Sequence, residues 1–367
     1  MQLSPATATC EGNKRVIGSV TVKDVARKAD VSVGTVSRVF NNHSNVSEEI
    51  RDRVLKAATE LGYERIVSAE PPRTGGRQIK EIGFLYGDLA DSGATTSNPF
   101  WTHILNGVEH EARRSNIKVT YRSIMELVQT PQELFSTVQD MKLGGILLVG
   151  PAEQETVQVL KSLDIPLVLV DNHIPGLSVN SVLCDNFEGA YMAVNYLIER
   201  GHRKIAFIGG PVIQGFRPID VIYTIQRRSL GYRTALLDAG IQINTNLMEH
   251  GNLKIDGGYQ ACQRLIEQQE PFTALFCAND ELAIGAMKAL RQYGRRLPED
   301  VSVIGFDDIA LVEHLTPALT TIRVNKEAIG EVAVKRLLEQ SNDSSDTSIS
   351  SILEVDLIER ASVFRIE

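Results

Sequence analysis

The sequence holds few residues spaced for covalent chemistry and several spaced for contact. It has no Gly-x-x-x-x-Gly-Lys-Ser/Thr loop, no Gly-x-Ser-x-Gly elbow and no His-Glu-x-x-His, and no Gly-x-Gly-x-x-Gly follows its first β-rich run. No catalytic residue is assigned, and the chain reads as a non-enzyme. Gly209-Gly210-Pro211 reads as a structural turn after a strand. Cys10, Cys184, Cys262 and Cys277 are scattered without Cys-x-x-Cys or Cys/His spacing, so neither a disulfide framework nor a zinc site is indicated, and a reducing cytoplasm fits. His173 and His202 lack partners at ligand spacing and read as turn or packing residues, so no metal and no cofactor are called for. The clearest contact chemistry lies in Val33-Gly34-Thr35-Val36-Ser37-Arg38-Val39-Phe40. At 100° per residue Val36 and Val39 share one arc of a helix, while Val33, Gly34, Ser37 and Arg38 share the other. One side is core and the other is free to read a partner.

Two neighbouring helices must position that face. Val22, Val25, Ala26 and Ala29 recur at helical spacing after Thr21, with Asp24 three residues on as a capping pair. Asp30 is suited to the left-handed turn that ends this helix. Ser32 then caps the second helix, which Asn41-Asn42 interrupts. A third opens at Ser47 with Glu48-Glu49 in its first turn, buries Ile50, Val54, Ala58 and Leu61, and stops at Gly62. Two short helices at a tight turn with a supporting third make a helix-turn-helix, although a small helical bundle with an ordinary polar face has the same pattern.

Composition supports a head and a body. Hydrophobic residues at 43% and charged residues at 23% exclude a largely disordered chain, and no apolar run reaches the ~18 uncharged residues of a membrane span. The net charge of −8 is unevenly spread: residues 1–80 carry 13 Lys and Arg against 9 Asp and Glu, net +4, leaving 25 against 37 in the rest, net −12. A basic head on an acidic body allows nucleic-acid binding at one end. Residues 1–20 read as a disordered leader, lacking the basic start and apolar stretch of a signal peptide.

From residue 79 onward, β-rich runs (81–86, 118–122, 145–149, 167–171, 205–208, 274–277, 301–306) alternate with amphipathic stretches (101–114, 153–163, 187–200, 281–293). That alternation predicts parallel sheets built from βαβ units. The expected fold is an α/β body of two doubly wound parallel-sheet subdomains behind an N-terminal all-α helix-turn-helix, with ligand at strand carboxyl ends between the subdomains.

The phrases Val22-Lys23-Asp24-Val25-Ala26, Val31 to Val39, Asn41-Asn42, Val46-Ser47-Glu48-Glu49 and Leu61-Gly62-Tyr63 closely resemble the head of the lactose/galactose repressor (LacI/GalR) family. Asn98-Pro99-Phe100-Trp101, Val170-Asp171, Asp185-Asn186, Gly201 to Gly210, Asn279-Asp280, Val301 to Asp308 and Leu315 to Ile322 resemble its sugar-binding-protein-like core. The resemblance implies base reading by Val33, Gly34 and Arg38, and phosphate contacts from Ser32, Thr35, Ser37, Asn41 and Ser47. The chemistry suits these roles: Arg38 can contact guanine bidentately, Val33 can touch a thymine methyl, and Gly34 permits close backbone approach. In the body it implies an effector pocket of Phe100, Trp101, Asp171, Arg228 and Asp280, where carboxylates accept hydroxyl protons, Arg donates in a fork and Trp covers an apolar sugar face. Individually, Asp at a strand end also serves as a helix cap, and Phe100 as core.

Departures from the pattern are local. The hinge or linker, residues 64–79, has Ala69-Glu70-Pro71-Pro72 where the family has Ala-Arg-Ser-Leu, and the two prolines disfavour a hinge helix; a flexible linker is preferred to Pro72 as a minor-groove wedge. Asn172 replaces a common Arg, Leu253 a common aromatic, and Val212 to Gln226 forms an insertion. Residues 341–351 read as a polar loop, with no heptad tail after them. The resemblance implies a cytoplasmic regulator, with residues 21–63 as its DNA-binding domain and 80–367 as its effector-binding and dimerisation domain. It would be a homodimer on a pseudo-palindromic double-stranded DNA operator, away from membranes and controlled by a small-molecule effector, most commonly a sugar. The alternative is a cytoplasmic sugar-binding protein with a degenerate head.

Overall fold

The computed structural model describes residues 22–32, 35–36, 39, 47–61, 79–87, 99–124, 130–210, 222–342 and 347–366. The leader, nearly all of the hinge and the insertion as far as residue 221 lie outside them, as do Val33, Gly34, Ser37, Arg38 and Asn41. The chain divides into two units, residues 1–75 and 76–367.

In the first unit, α1 (Val22–Ala29) ends where Asp30 takes a φ of 52°, the left-handed turn its type tolerates. Ser32 then caps the next helical turn: its Oγ accepts from the Thr35 amide at 3.0 Å, and its carbonyl accepts from the Val36 amide. α2 (Glu48–Glu60) starts after Ser47, whose carbonyl accepts from the Arg51 amide. Val25, Ala26, Ala29, Val36, Val39, Val54, Ala57 and Ala58 form one core, with Val31, Ile50 and Leu61 packed against it. The inward positions are those that helical periodicity selects.

The second unit holds two six-stranded sheets. The first is wholly parallel, in the order β11 (Ser350–Leu353), β5 (Asn180–Cys184), β4 (Leu167–Val170), β3 (Gly145–Val149), β1 (Glu81–Tyr86), β2 (Lys118–Ser123). The second runs β12 (Asp356–Ile358), β10 (Thr320–Arg323), β9 (Ser302–Asp307), β8 (Ala274–Cys277), β6 (Ile205–Gly209), β7 (Met248–His250), parallel except that β12 pairs antiparallel with β10. Central strands bury both faces, so they read as continuous apolar runs: on β3, Ile146 and Leu148 enter one core while Leu147 and Val149 enter the other.

The helices are α3 (Pro99–Arg114), α4 (Pro131–Asp140), α5 (Gln154–Lys161), α6 (Asn186–Glu199), α7 (Tyr223–Asp238), α8 (Ile255–Glu267), α9 (Asp280–Gln292) and α10 (Lys326–Asn342). The chain crosses between the subdomains three times: at Asp185, between β10 and α10, and between β11 and β12. α10 returns to pack on α3 and the first sheet, so each subdomain is completed by chain from beyond the other.

Five strands escape the sequence reading: β5, β7, β10, β11 and β12. They are short or polar, and their polar groups are satisfied only by tertiary partners. Ser181 Oγ donates to Ser350 Oγ at 2.8 Å, and Asn180 Oδ1 accepts from the Ile349 amide at 2.7 Å. The loop expected at 341–351 is accordingly shorter, since α10 runs to Asn342 and β11 begins at Ser350. Among the described residues, no helix is long and apolar enough to cross a membrane.

Candidate functional site

Of the head positions assigned to DNA, the described ones are Ser32, Thr35 and Ser47. Ser32 is exposed, and its Oγ lies 2.9 Å from Thr35 Oγ1, placing two hydroxyls at a helix amino terminus, the end that favours anions. Ser47 is exposed at the start of α2.

In the body, the carboxyl ends of β4 and β9 and one side chain of α7 converge. Arg228 on α7 is 3% exposed, because Gly231 one turn on lets α7 close on α6, where an added Cβ would meet Phe187 O at 2.3 Å. Its Nε donates to Asn186 Oδ1 at 2.8 Å and its Nη1 to Ala278 O and to Asp307 Oδ1, the latter at 3.2 Å. Its guanidinium carbon sits 3.7 Å from the Phe306 ring centroid, a cation–π stack that fixes the fork's plane. Asp171 belongs to the first subdomain, just past β4. Burial pushes its carboxyl up to about 7, the Arg228 charge opposing and the Asp307 charge reinforcing. Asp307 is likewise raised by burial, against the pull of Arg228 and Lys326.

Backbone strain collects in these loops. Asp171, Leu253, Asp307 and Asp308 have φ of 54°, 63°, 113° and 52°. Asp171 and Asp308 take the left-handed turn that Asp tolerates, as Asp30 does, whereas Leu253 and Asp307 are held at values costly for their side chains. Asn279 Nδ2 donates to Leu253 O, and Lys326 Nζ donates to the carbonyls of Asp307, Asp308 and Val324. Asp308 is held between Arg323 and Arg360, each at 2.7 Å.

Two buried polar atoms on consecutive residues have no hydrogen-bond partner among the described residues: Asp171 Oδ1, an acceptor, and Asn172 Nδ2, a donor. Asn172 Oδ1 is taken by the His173 amide at 2.8 Å. Native interiors leave few such groups unmet, and this pair lies just past the carboxyl end of β4.

The remaining assigned residues separate. Trp101 is half-buried, 6.2 Å from the Tyr86 ring, and covers Gly150, the turn after β3. Phe100 is buried at the start of α3, with Lys326 Nζ 5.9 Å from its ring centroid. Asp280 stands at the first position of α9. It is 0% exposed, its Oδ2 accepts from the Ile309 amide at 2.9 Å and its Oδ1 from Thr321 Oγ1 at 2.6 Å. Burial, with the Asp307 charge adding, pushes its carboxyl up to about 8. The carboxylate that faces Arg228 is Asp307. Sequence reasoning passed over Asp307, Asn186 and Lys326, although the strand-end rule applied to β9 points to the first. His202 is a packing residue, with Nδ1 2.9 Å from Thr273 Oγ1 and Nε2 3.1 Å from Phe364 O.

Comparison with known proteins gives a consistent result. Residues 21–65 match the family model described as bacterial regulatory proteins, lacI family, and residues 194–363 match that of a periplasmic binding protein-like domain. The chain is 31% identical over 347 residues to the ribose operon repressor of Haemophilus influenzae, covering 95% of this chain and 99% of that protein. It is 32% identical over 350 residues to the transcriptional repressor CytR of Escherichia coli, covering 94% and 96%. Among solved structures it resembles the transcriptional regulator CelR–cellobiose complex (TM-score 0.70, 28% identity, 94% of this chain and 99% of that one). It also resembles the lac repressor dimer bound to operator and the anti-inducer ONPF (TM-score 0.65, 26% identity, 94% and 99%).

Proposed function

This chain belongs to the lacI family of bacterial regulatory proteins, and on that premise we propose that it is a cytoplasmic, non-enzymatic transcriptional repressor. In this reading a sugar in the cleft of its body sets its affinity for a pseudo-palindromic operator. The observation that carries the effector half is the set Asp171, Asn172, Arg228 and Asp307, which spans both subdomains and holds two unmet buried polar atoms. Sugar hydroxyls would donate to Asp171 and Asp307 and accept from Arg228 and Asn172, with Trp101 against an apolar face. A ligand bridging β4 and β9 favours the closed arrangement of the subdomains over the open one, and only that difference in affinity can shift DNA binding. Cellobiose in one structural relative and the ribose operon of one curated relative support a sugar as the effector class.

The DNA half rests on the head. Val33, Gly34 and Arg38 would read bases, and Ser32, Thr35, Ser37, Asn41 and Ser47 would hold phosphates. Homodimer formation, which pairs two heads on two half-sites, is supported by the dimer form of the lac repressor. The Pro71-Pro72 hinge favours one competing reading, a sugar-binding protein whose head no longer engages DNA. Selection of random duplexes on the purified protein, with and without a pooled sugar library, separates the two. An inverted-repeat motif whose recovery changes with a sugar is expected; failure to enrich any motif would rule out the repressor reading.

A further inference from the structure

We infer that the second subdomain carries a separate binding site for a small α-amino acid, at the end of its sheet away from the cleft. A cavity of about 190 Å³ opens there beside Ile205, the first residue of β6. Tyr232, Leu236 and Leu247, all buried, give it an apolar wall, and the Tyr232 hydroxyl is fixed by donating to Ile205 O at 2.8 Å. Charged side chains of both signs line the same cavity: Arg203 and Lys204, which are exposed, and Glu270, which is half-buried. None of these three side chains has a hydrogen bond or ion pair among the described residues. Elsewhere on this subdomain opposite charges close on one another, as in Arg200–Glu359 at 2.6 Å, Arg264–Glu249 at 2.9 Å and Arg296–Asp300 at 2.6 Å. Here the cations and the carboxylate face one space and do not meet across it.

The lining selects the ligand. Arg203 and Lys204 can only donate, and the Glu270 carboxylate can only accept. A neutral sugar would leave charges of both signs without a counter-charge, and a plain anion would satisfy the cations while standing against Glu270. A zwitterion answers both, its carboxylate on Arg203 and Lys204 and its ammonium on Glu270, in charge-assisted hydrogen bonds. Its side chain then lies on the apolar wall and is removed from water. The cavity has room for about six waters, which suits a molecule the size of valine or leucine and is too little for a disaccharide. The site also shares a helix with the cleft, since Tyr232 stands one turn after Arg228 on α7.

The test is calorimetric titration of the full-length protein at neutral pH with alanine, serine, valine and leucine, each beside its des-amino acid and its amide, and with inorganic phosphate. At least one amino acid should bind with a Kd of about 1 mM or tighter, and the forms lacking its ammonium or its carboxylate should be weaker by about tenfold or more. Arg203→Ala combined with Lys204→Ala should weaken the amino acid by about tenfold or more. Glu270→Gln should weaken it by about tenfold and leave its des-amino form unchanged. These side chains are unpartnered and lie at the surface, so the variants should keep the wild-type urea midpoint. Three results would overturn the inference: no amino acid binding at about 10 mM, phosphate or a des-amino acid binding as tightly as the amino acid, or amino-acid binding that survives both variants.

Discussion

Arg228 is the residue on which the body's site turns. It is almost fully enclosed, and its donors reach a side-chain amide, a main-chain carbonyl and a carboxylate on three different elements. Removing one member of a buried pair strands the other, so Arg228→Ala should cost about 3–5 kcal/mol of stability, read as a loss of urea midpoint, and should abolish effector binding. Arg228→Lys should recover little, since a point charge replaces neither the fork nor the stack on Phe306. Asp280 makes a prediction of opposite character. Its folded carboxyl is raised to about 8, against an ordinary value near 4, so the folded state binds the proton more tightly than the unfolded chain does. The stability it contributes is complete below pH 4 and is lost as pH rises through about 8, with Asp171 adding a similar loss up to about 7. Asn at position 280 mimics the protonated acid, accepting from Ile309 and donating to Thr321. Asp280→Asn should therefore flatten the decline in stability between pH 5 and 9, and parallel wild-type and variant profiles in urea melts would contradict this.

At the scale of elements, the site is made by strand ends that turn sharply. Gly150 follows β3 at a φ of 77°, and a Cβ there would come within 2.7 Å of Trp101 Cζ2. Gly150→Ala meets both the left-handed penalty, about 1–2 kcal/mol, and the indole. Lower thermal stability and a shifted emission from the single Trp are expected together, and loss of stability with unchanged emission would place the strain elsewhere. Some elements were legible in the sequence and others were not, for a physical reason. Helices carry their own periodicity and caps, as with α9, read from the amphipathic stretch 281–293 and capped by Asn279, whose side chain accepts from the Leu282 amide. The central strands β1, β3, β4, β6, β8 and β9 are apolar runs. The edge strands β7, β11 and β12 bury little and gain their conformation from a neighbour, so nothing in their own residues announces them.

At the scale of the whole molecule, the charge asymmetry between head and body gives the salt behaviour. DNA affinity should fall steeply and log-linearly with salt through counterion release, and affinity for a sugar effector, whose binding releases no condensed counterions, should barely change. Arg38→Ala should cost about 1–3 kcal/mol at one operator position and relax preference there, and an unaltered base preference in binding-site selection would remove Arg38 from base reading. The three chain crossings between subdomains tie the effector loops to both sheets, which is how a ligand seen by Asp171 and Arg228 can bias the body as a unit. The amino-acid sequence by itself determined the helical head with its inward valines and alanines, the α/β class of the body and the family, because periodicity, caps and motifs are local in the chain. Only the tertiary structure decided which carboxylate faces Arg228. Asp280 and Asp307 both follow β-rich runs, and what separates them is that Asp280 accepts from Thr321 Oγ1 and the Ile309 amide, 41 and 29 residues away, while Asp307 Oδ1 accepts from the guanidinium.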